Sequence, residues 1–247
     1  MDRMIYTAMT GAKQVFVQQA AVAHNLANAS TNGFRAQDHS FRAVPILGEG
    51  MPTRAFVADA SVADVLDQGP MISTGRSLDV ALQGKGWFVL EGRDGNEVYT
   101  RAGSFDISAN GQLQSKDGLN VIGDGGPISI PPDSRIAIAS DGTISAIPET
   151  GTLNAVNVVG RIKLVNPPEG DLVRGPDGMF RLRGGEPAPL DDNVRLVSET
   201  LEGSNVNVVD AMVGLISLSR QFEMQIRAIQ NAEQNDRQAA QILSIAQ

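Results

Sequence analysis

The chain has 247 residues, of which 42% are hydrophobic and 19% are charged, a composition typical of a folded globular protein rather than a disordered one. Its formal net charge is −8 and it has no basic stripe, so no nucleic-acid partner is expected, since phosphate binding requires clustered lysine and arginine. The absence of cysteine excludes disulfides and thiolate metal sites, and no apolar run approaches the ~18 residues that a membrane-spanning helix requires.

A long amphipathic helix is predicted over residues 3–29, the first element along the chain. Apolar residues recur there at alternating spacings of three and four, which is the pattern of a helix with a coiled-coil seam. The seam positions are Ile5, Ala8, Ala12, Val15, Gln19, Val22, Leu26 and Ala29, and the same face is widened by Met9, Phe16 and Ala23. We expect the run Ser30-Thr31-Asn32-Gly33 to end the helix, with Gly33 as the left-handed residue after its last turn.

The first 23 residues also have one feature of a secretory signal peptide, because Ala21-Val22-Ala23 resembles a cleavage site. A signal peptide needs an uninterrupted apolar region, and that region is interrupted here by Lys13, Gln14, Gln18 and Gln19. We therefore expect a helix that stays with the mature chain, and no cleaved signal.

Glycine and proline shape the middle of the chain. Residues 35–75 have weak periodicity and three prolines, so an extended connector is expected there. Residues 76–203 are predicted to form a β-rich domain, because 18 of the 26 glycines lie between Gly84 and Gly185 and exclude long helices. Six pairs are typical of tight turns: Asp94-Gly95, Asn110-Gly111, Asp117-Gly118, Asp124-Gly125, Asp141-Gly142 and Asp177-Gly178. Antiparallel strands are predicted between them, at Trp87–Glu91, Glu97–Arg101, Pro127–Ile130, Arg135–Ala139, Asn157–Val165 and Met179–Leu182.

A second long helix is predicted from residue 208 to the end of the chain. Asn207 is expected to cap it, and Asp210 in the first turn suits the helix dipole. A strict heptad pattern, broken only by Gln225 and Asp236, comprises Val208, Ala211, Leu215, Leu218, Phe222, Gln225, Ile229, Ala232, Asp236, Ala239, Leu243 and Ala246. The seams of both helices are rich in alanine, so neither helix would be firmly stable alone.

These elements predict an α+β fold in which paired long N- and C-terminal helices, coiled-coil-like, flank a mainly antiparallel β domain. The expected domains are a terminal helical domain of residues 1–34 and 204–247, the connector of residues 35–75 and the β-rich domain of residues 76–203. The C-terminal helix would be about 55–60 Å long, which exceeds the span of a β domain with a radius of gyration near 14 Å.

The far end of that helix should therefore project from the body, and a projecting apolar seam needs other subunits to cover it. We expect a self-assembling protein whose assembly interface comprises Ile5, Ala12, Val15, Phe16, Val22, Leu26, Leu215, Leu218, Phe222, Ile229 and Leu243.

Enzymatic chemistry is not expected from this sequence. The chain contains two histidines and lacks the G-x-S-x-G, P-loop, dinucleotide-binding and EF-hand patterns. Aromatic residues, which commonly line ligand pockets, make up 4% of the chain. We therefore predict no catalytic residue, no cofactor and no metal site.

Several blocks of the sequence are similar to those of the bacterial flagellar rod and hook proteins. Asn25-Leu26-Ala27-Asn28-Ala29-Ser30-Thr31-Asn32-Gly33-Phe34-Arg35 resembles the N-terminal signature of that family, and residues 199–207 resemble the segment before its last helix. Arg220-Gln221-Phe222-Glu223 resembles an element within that helix, and residues 78–88 and 99–105 are similar to two blocks of the body. The signature positions are Asn25, Asn28, Thr31, Gly33, Phe34, Ser204, Asn205, Arg220 and Glu223.

The resemblance implies a structural subunit of the bacterial flagellar basal body. Such proteins are exported unfolded through the flagellar type III apparatus without a cleaved signal, and they polymerise through their terminal helices into the rod that crosses the periplasm and transmits torque. The implied partners are copies of the chain itself, other rod proteins (FlgG, FlgB and FlgC) and the export apparatus, with no nucleic acid and no membrane insertion. Within the family, the opening residues 1–9 and the short passage from Phe41 to Pro70 are most similar to a proximal rod protein.

Two other interpretations remain open at the level of sequence. The chain also resembles distal rod proteins and hook-type axial subunits, although distal rod proteins usually carry extra sequence after the N-terminal signature. A more distant alternative is a β-rich domain that binds or hydrolyses cell-wall polysaccharide. That function would require a cleft with a carboxylate pair or an aromatic platform.

Overall fold

The computed structural model of the chain describes residues 4–45, 55–148 and 156–245. Helix α1 spans Met4–Ala27 and helix α2 spans Val208–Ile245, and a short 3-10 turn lies at Glu169–Asp171. The strands are β1 (Gln37–Pro45), β2 (Ala55–Asp64), β3 (Met71–Ser73), β4 (Val80–Gln83), β5 (Trp87–Glu91), β6 (Glu97–Thr100), β7 (Phe105–Ile107), β8 (Leu113–Ser115), β9 (Ile122–Gly123), β10 (Gly126–Pro127), β11 (Ser134–Ile138), β12 (Thr143–Pro148), β13 (Asn157–Arg161), β14 (Leu164–Val165), β15 (Leu172–Arg174), β16 (Phe180–Leu182), β17 (Arg195–Ser198) and β18 (Thr200–Glu202).

The predicted α+β class is confirmed, with one helix on each side of a strand-rich middle. Every pairing between these strands is antiparallel in the part of the chain that the structure describes. Of the predicted strand Pro127–Ile130, only Pro127 lies in a strand, β10. Beyond it the hydrogen-bond partner changes: the amide of Ile128 donates to Val121, whereas its carbonyl accepts from Leu113 and the amide of Ile130 donates to Gly111.

The two helices begin and end for local reasons. The side-chain oxygen of Asn207 accepts hydrogen bonds from the amides of Val209 and Asp210, at 3.0 and 3.4 Å, so the predicted cap of α2 is confirmed. Helix α1 ends at Ala27, before the predicted stop signal. Gly33 does have a positive φ of 70°, but it lies too far beyond Ala27 to be the C-terminal cap, so that prediction is wrong.

The chain folds into two compact units. The first comprises Met1–Ala29, Ala36–Val65 and Val206–Gln247, and the second comprises Ser30–Arg35 and Leu66–Asn205. The backbone therefore passes between the units four times. Residues 36–65, expected in the connector, belong to the unit that contains both helices.

In the first unit, α1 contacts α2 and also the two-stranded ribbon of β1 and β2. The ribbon occupies part of the expected connector. Alternate residues of β1 are half-buried, namely Gln37, His39 and Phe41. Two of these three are polar, so the sequence has no apolar alternation that would indicate a strand.

The second unit is built around β5, which lies inside the five-stranded sheet of order β14-β5-β6-β16-β15. Both faces of β5 are buried: Phe88 and Leu90 belong to the larger apolar core, whereas Trp87 and Val89 belong to a smaller one. Phe88 meets Phe105 edge-to-face with ring centroids 5.4 Å apart. A strand covered on both faces anchors this unit, because nearly all of its side-chain surface leaves water.

The predicted turns are found at nearly every position. The glycine of five of the six predicted pairs has a positive φ, which the tight hairpin turns require and which other residues rarely adopt. At Asp124-Gly125 the positive φ falls one residue later, on Gly126.

Replacing Asn207 tests the start of α2. We expect Asn207→Ala to lower the free energy of unfolding of the helical unit by about 1 kcal/mol, because two helix amides lose their acceptor. Thermal unfolding followed by circular dichroism measures the change. Asn207→Asp keeps an acceptor and should behave as the unmodified protein, and equal stability of the alanine variant would contradict the cap.

Candidate assembly interface

The predicted seam lies on the covered faces of the two helices. All the seam positions of α1 from Ile5 to Leu26 are buried or half-buried, and so are those of α2 from Ala211 to Asp236. Among the predicted interface residues, Ala12 and Leu218 are buried, and the half-buried ones are Ile5, Val15, Val22, Leu26, Leu215, Phe222 and Ile229. The backbone of Leu243 lies within α2, but its side chain is outside the described residues. We call these covered positions the inner seam.

The contact of Gly11 with Gln225 fixes the register of the inner seam. A Cβ on Gly11 would lie 3.2 Å from the amide carbon and nitrogen of Gln225, so glycine allows this side chain to pack against the helix. Antiparallel helices with this pair in register place Ala27 opposite Val209 and Met4 opposite Ala232. Ala232 is 4% exposed, which agrees with cover from the first turn of α1.

A second stripe on α1 is left exposed. It follows the same alternating spacing as the inner seam, displaced by one residue, and comprises Tyr6, Met9, Lys13, Phe16, Ala20, Ala23 and Ala27. All of these except Lys13 are apolar. Tyr6, Met9 and Phe16 are 61%, 53% and 62% exposed. Met9, Phe16 and Ala23, which were expected to widen the seam face, are thus exposed, whereas the seam positions are covered. We call these seven residues the outer stripe.

The exposed side of α2 changes character along its length. Its first turns expose apolar side chains at Val209, Met212, Val213 and Ile216. Charged side chains then follow, including the signature residues Arg220 and Glu223, both exposed. Phe222 between them is half-buried in the inner seam, so the arginine-aromatic-glutamate element has its aromatic residue inward and its charges outward.

The signature residues of the N-terminal block make specific backbone contacts. The side-chain amide of Asn25 donates to the carbonyl of Gln37 at 2.8 Å, and its oxygen accepts from the amide of the same residue at 2.9 Å. Asn25 thus pairs with the first residue of β1 as a neighbouring strand would. The side-chain amide of Asn28 donates to the carbonyl of His24 at 2.9 Å, near the end of α1, and this carbonyl also accepts the backbone amide of Asn28. The carbonyl of Thr31 accepts from Phe34.

Three charged side chains from distant parts of the chain meet inside the second unit. The carboxylate of Glu202 pairs with Arg35 at 2.6 Å and with Arg101 at 3.2 Å, and it accepts the amide of Gly69 at 3.0 Å. Arg35, Arg101 and Glu202 are all buried. We call these three residues the Glu202 cluster.

The Glu202 cluster holds two positive charges against one negative charge away from water. Burial lowers the pKa of Arg101 to about 10, against the opposing effect of the Glu202 carboxylate, so Arg101 stays protonated at neutral pH. Its guanidinium donates to the carbonyl of Gly84 at 2.7 Å and lies 5.4 Å from the ring centre of Trp87. These contacts replace part of the hydration that Arg101 loses.

Close backbone packing accompanies the cluster. Gly33 donates its amide to the carbonyl of Glu202 at 2.8 Å, and a Cβ on Gly33 would lie 2.3 Å from the backbone nitrogen of Ala102. Only glycine fits this approach, in addition to its positive φ. The predicted signature residue Gly33 therefore serves the second unit and not the end of α1.

The remaining signature residues extend the same region. The guanidinium of Arg174 lies over the rings of Phe34 and Phe180, at 5.1 and 4.9 Å, and donates to the carbonyl of Arg35 at 2.6 Å. Asn205 donates its amide to the carbonyl of Phe34 and its side chain to the carbonyl of Asp67. Ser204 is buried.

No pattern in the sequence predicts the Glu202 cluster. Each of its members lies in a block that resembles the family, but no periodicity connects residues so far apart in the chain. The available signal was chemical: Arg35, Arg101 and Glu202 are charged residues inside otherwise apolar or glycine-containing blocks.

One cavity of the second unit, about 400 Å³, is relevant to the polysaccharide alternative. Its lining includes three aspartates and two arginines and no aromatic residue: Arg93, Asp94, Asp117, Leu119, Asp177, Met179 and Arg181. A hydrogen bond from Asn96 lowers the pKa of Asp94, and one from Arg181 lowers the pKa of Asp177. A glycosidase acid needs a raised pKa, so these two carboxyls are tuned in the opposite direction.

Within the described ranges, no group of three or more histidine or carboxylate side chains is arranged to hold a metal ion. Neither helix, over the residues that the structure covers, is long and apolar enough to cross a membrane.

Removing the central carboxylate tests the Glu202 cluster. We expect Glu202→Ala to lower the free energy of unfolding of the second unit by about 3–5 kcal/mol, because two buried guanidinium groups lose their counter-charge. Urea unfolding followed by the fluorescence of Trp87, the single tryptophan, measures it. The control is Asp192→Ala, which removes the exposed partner of Arg161 and should change stability by no more than about 1 kcal/mol. Equal effects of the two substitutions would contradict the assigned importance of the cluster.

Three family profiles match successive parts of the chain. The profile described as "Flagella basal body rod protein" matches residues 5–35, and "Flagellar hook protein FlgE/F/G D1 domain" matches residues 81–146. The profile described as "Flagellar basal body rod FlgEFG protein C-terminal" matches residues 197–242. Together they include the inner seam, the outer stripe and all three members of the Glu202 cluster.

Similarity to individual proteins extends over the whole chain. The flagellar basal-body rod protein FlgF of Escherichia coli (strain K12) is 46% identical over 252 residues, covering 100% of both chains. FlgF of Salmonella typhimurium (strain LT2) is 45% identical with the same coverage. The flagellar basal-body rod protein FlgG of Agrobacterium fabrum is 31% identical, covering 94% of this chain and 96% of its own. The chain belongs to the family of flagellar basal-body rod proteins.

Proposed function

We propose that this chain is a structural subunit of the bacterial flagellar basal-body rod and has no enzymatic role. The observation that carries the proposal is the outer stripe, an apolar surface with helix-pairing spacing that α2 and the ribbon of β1 and β2 leave uncovered. Such a surface fits a protein that is completed by its neighbours. The full-length similarity to FlgF proteins supports the same function.

One face of α1 serves the folding of the subunit, and the other serves its assembly with neighbouring subunits. The inner seam, a coiled-coil-like pairing of α1 with α2, holds the helices of one subunit together. The outer stripe then faces neighbouring subunits in the rod. Of the predicted interface residues, Phe16 belongs to the contact between subunits, whereas Ala12 and Leu218 belong to the contact within one subunit.

The energies suit polymerisation and not a stable isolated dimer. Burying a methionine or phenylalanine side chain completely stabilises by about 1.5–3 kcal/mol, and Met9 and Phe16 are only partly exposed in the free chain. Association costs about 4–15 kcal/mol in lost freedom of motion. One stripe alone therefore gives a weak contact, and several contacts per subunit in a rod make it strong.

The Glu202 cluster suits the transmission of torque. Its bonds tie together the segments through which the backbone leaves the second unit, since Gly33, Arg35, Gly69 and Glu202 each lie within a few residues of one of the four passages. A force that arrives through any of these segments is therefore shared with the others and with the sheet.

More specifically, we assign the chain to the proximal rod. The opening residues 1–9 and the FlgF identity of the relatives that match it along its whole length support this assignment. Its partners are then copies of itself, the rod proteins FlgG, FlgB and FlgC, and the flagellar type III export apparatus. Its location is the part of the basal body that spans the periplasm, which it reaches without a cleaved signal peptide.

Charged substitutions on the two faces of the helices separate the two roles. We expect Phe16→Asp to leave the helix content of the monomer unchanged, since Phe16 is exposed, but to abolish incorporation into basal bodies and motility. Leu218→Asp should lower the free energy of unfolding by about 3 kcal/mol, because it buries a charge in the inner seam. The helix content should fall as well. Circular dichroism of the purified chain and swimming assays of cells measure both effects.

Each substitution has a matched control. Phe16→Leu keeps an apolar side chain on the outer stripe and should swim normally, and Ser217→Asp places the same charge on an exposed position beside Leu218 and should leave the helix content unchanged. Normal motility of the Phe16→Asp strain would refute the outer stripe as an assembly surface.

A further inference from the structure

Asparagine or aspartate precedes glycine at seven places in the chain, the six turn pairs named above and Asn32-Gly33. Such pairs are the ones most prone to react without an enzyme. The amide nitrogen of the second residue lies close to the side-chain carbonyl carbon of the first, and glycine has no side chain to obstruct its approach. Whether a pair reacts in the folded protein depends on the hydrogen bonds that its two reacting groups already make.

In six of the seven pairs the glycine amide donates a hydrogen bond to a backbone carbonyl. An amide held in this way cannot lose its proton and attack a neighbouring carbon without giving up that bond. The folded backbone therefore protects these six pairs. The bonds run from Gly33 to Glu202 at 2.8 Å, from Gly95 to Gly92 at 3.0 Å, from Gly111 to Ser108 at 2.9 Å, from Gly118 to Ser115 at 2.9 Å, from Gly142 to Ala139 at 3.0 Å and from Gly178 to Gly175 at 3.0 Å.

The seventh pair, Asp124-Gly125, lies differently in its turn. Gly123 pairs with Gly126, so Asp124 and Gly125 are the two central residues of the turn between β9 and β10. The hydrogen bond of such a turn joins its outer residues and leaves the amide of the third residue unused. Among the residues that the structure describes, no acceptor binds the amide of Gly125. Both central residues are exposed, so water reaches this amide.

The carboxyl groups differ in the same direction. The reaction requires the neutral carboxylic acid, and a lowered pKa leaves less of that form at neutral pH. In three of the other pairs, hydrogen bonds lower the pKa of the aspartate: from Asn96 to Asp94, from Thr143 to Asp141 and from Arg181 to Asp177. Asp117 is exposed, as Asp124 is, so Asp117-Gly118 differs from Asp124-Gly125 chiefly in its bonded amide.

We propose that Asp124-Gly125 is a site of spontaneous isomerisation to isoaspartate in the folded protein. The amide nitrogen of Gly125 loses its proton to solvent and attacks the side-chain carboxyl carbon of Asp124, and one water molecule leaves as a five-membered succinimide ring closes. Hydrolysis of the ring consumes one water molecule and restores aspartate or gives isoaspartate, in which the main chain runs through the former side chain. The reaction needs no reactant other than water and does not depend on assembly into a rod.

Isoaspartate adds one methylene group to the main chain where the turn is tightly packed. The amide of Asp124 donates to the carbonyl of Arg161 at 3.1 Å, and a Cβ on Gly123 would lie 2.6 Å from that same oxygen. The amide of Lys163 donates to the carbonyl of Ile122 at 3.0 Å. A longer turn displaces these bonds, so we expect the isoaspartyl chain to unfold at a lower urea concentration than the unmodified chain.

Peptide mapping tests the site. The purified full-length chain is incubated at neutral pH, folded or in urea, and then digested with chymotrypsin, which cuts after Leu119 and so separates Asp117 from Asp124. Isoaspartate in each peptide is measured by mass spectrometry with electron-transfer fragmentation. In urea we expect similar amounts at both positions. In the folded chain we expect at least about fivefold more at Asp124, because only Asp117 is followed by an amide that must first lose a hydrogen bond.

Two variants serve as controls. Gly125→Ala should reduce isoaspartate at Asp124 to the level at Asp117, because the methyl group obstructs the attacking nitrogen. Alanine fits there, since a Cβ on Gly125 meets no atom within 4 Å and its φ lies outside the left-handed region. Asp124→Glu should give no isomerised product at this position, because its longer side chain does not form the five-membered ring. Equal isoaspartate at Asp117 and Asp124 in the folded chain, or an undiminished amount in Gly125→Ala, would overturn the proposal.

Discussion

The second unit depends on the ion pairs and hydrogen bonds of the Glu202 carboxylate. Its side chain binds Arg35, Arg101 and the amide of Gly69, while its backbone carbonyl accepts the amide of Gly33. One residue thus joins segments from the beginning, the middle and the end of the chain. These are the segments through which the backbone leaves the unit, and the contacts of Glu202 connect them to one another and to the β sheets. The three family-like blocks that contain Arg35, Arg101 and Glu202 are therefore neighbours in space.

A buried charge cluster is an expensive way to hold segments together, because apolar side chains of similar volume often stabilise a core as well or better. The cluster has a geometric advantage, however. Apolar contacts tolerate sliding, whereas two guanidinium groups that share one carboxylate lose several kcal/mol when a segment shifts and a charge is left unpaired. A subunit that transmits force benefits from contacts that resist displacement. The excess positive charge is made tolerable by the carbonyl of Gly84 and the ring of Trp87.

The sequence predicted those parts of the fold that local rules control. Heptad spacing located both helices, Asn207 marked the start of α2, and paired aspartate and glycine marked the turns, because each of these signals lies within a few residues of its effect. The ribbon escaped prediction because its half-buried positions include Gln37 and His39. The Glu202 cluster escaped because its members are brought together only by the complete fold. The sequence did not separate the exposed Phe16 from the inner seam, since two stripes displaced by one residue merge when a sequence is read without a structure.

The merging of these stripes has a physical meaning. In the part of the chain that the structure describes, α1 contacts α2 and the ribbon, and its outer stripe is exposed. Its remaining face must stay compatible with water before assembly and lose that water afterwards. Three alanines and Lys13 in the outer stripe meet both requirements, because small side chains expose little apolar area and a lone lysine penalises contact with any partner that offers no acid. Apolar attraction then supplies strength, and the charge supplies selectivity. The exposed outer stripe of the free chain therefore restricts which neighbouring surface can bind it.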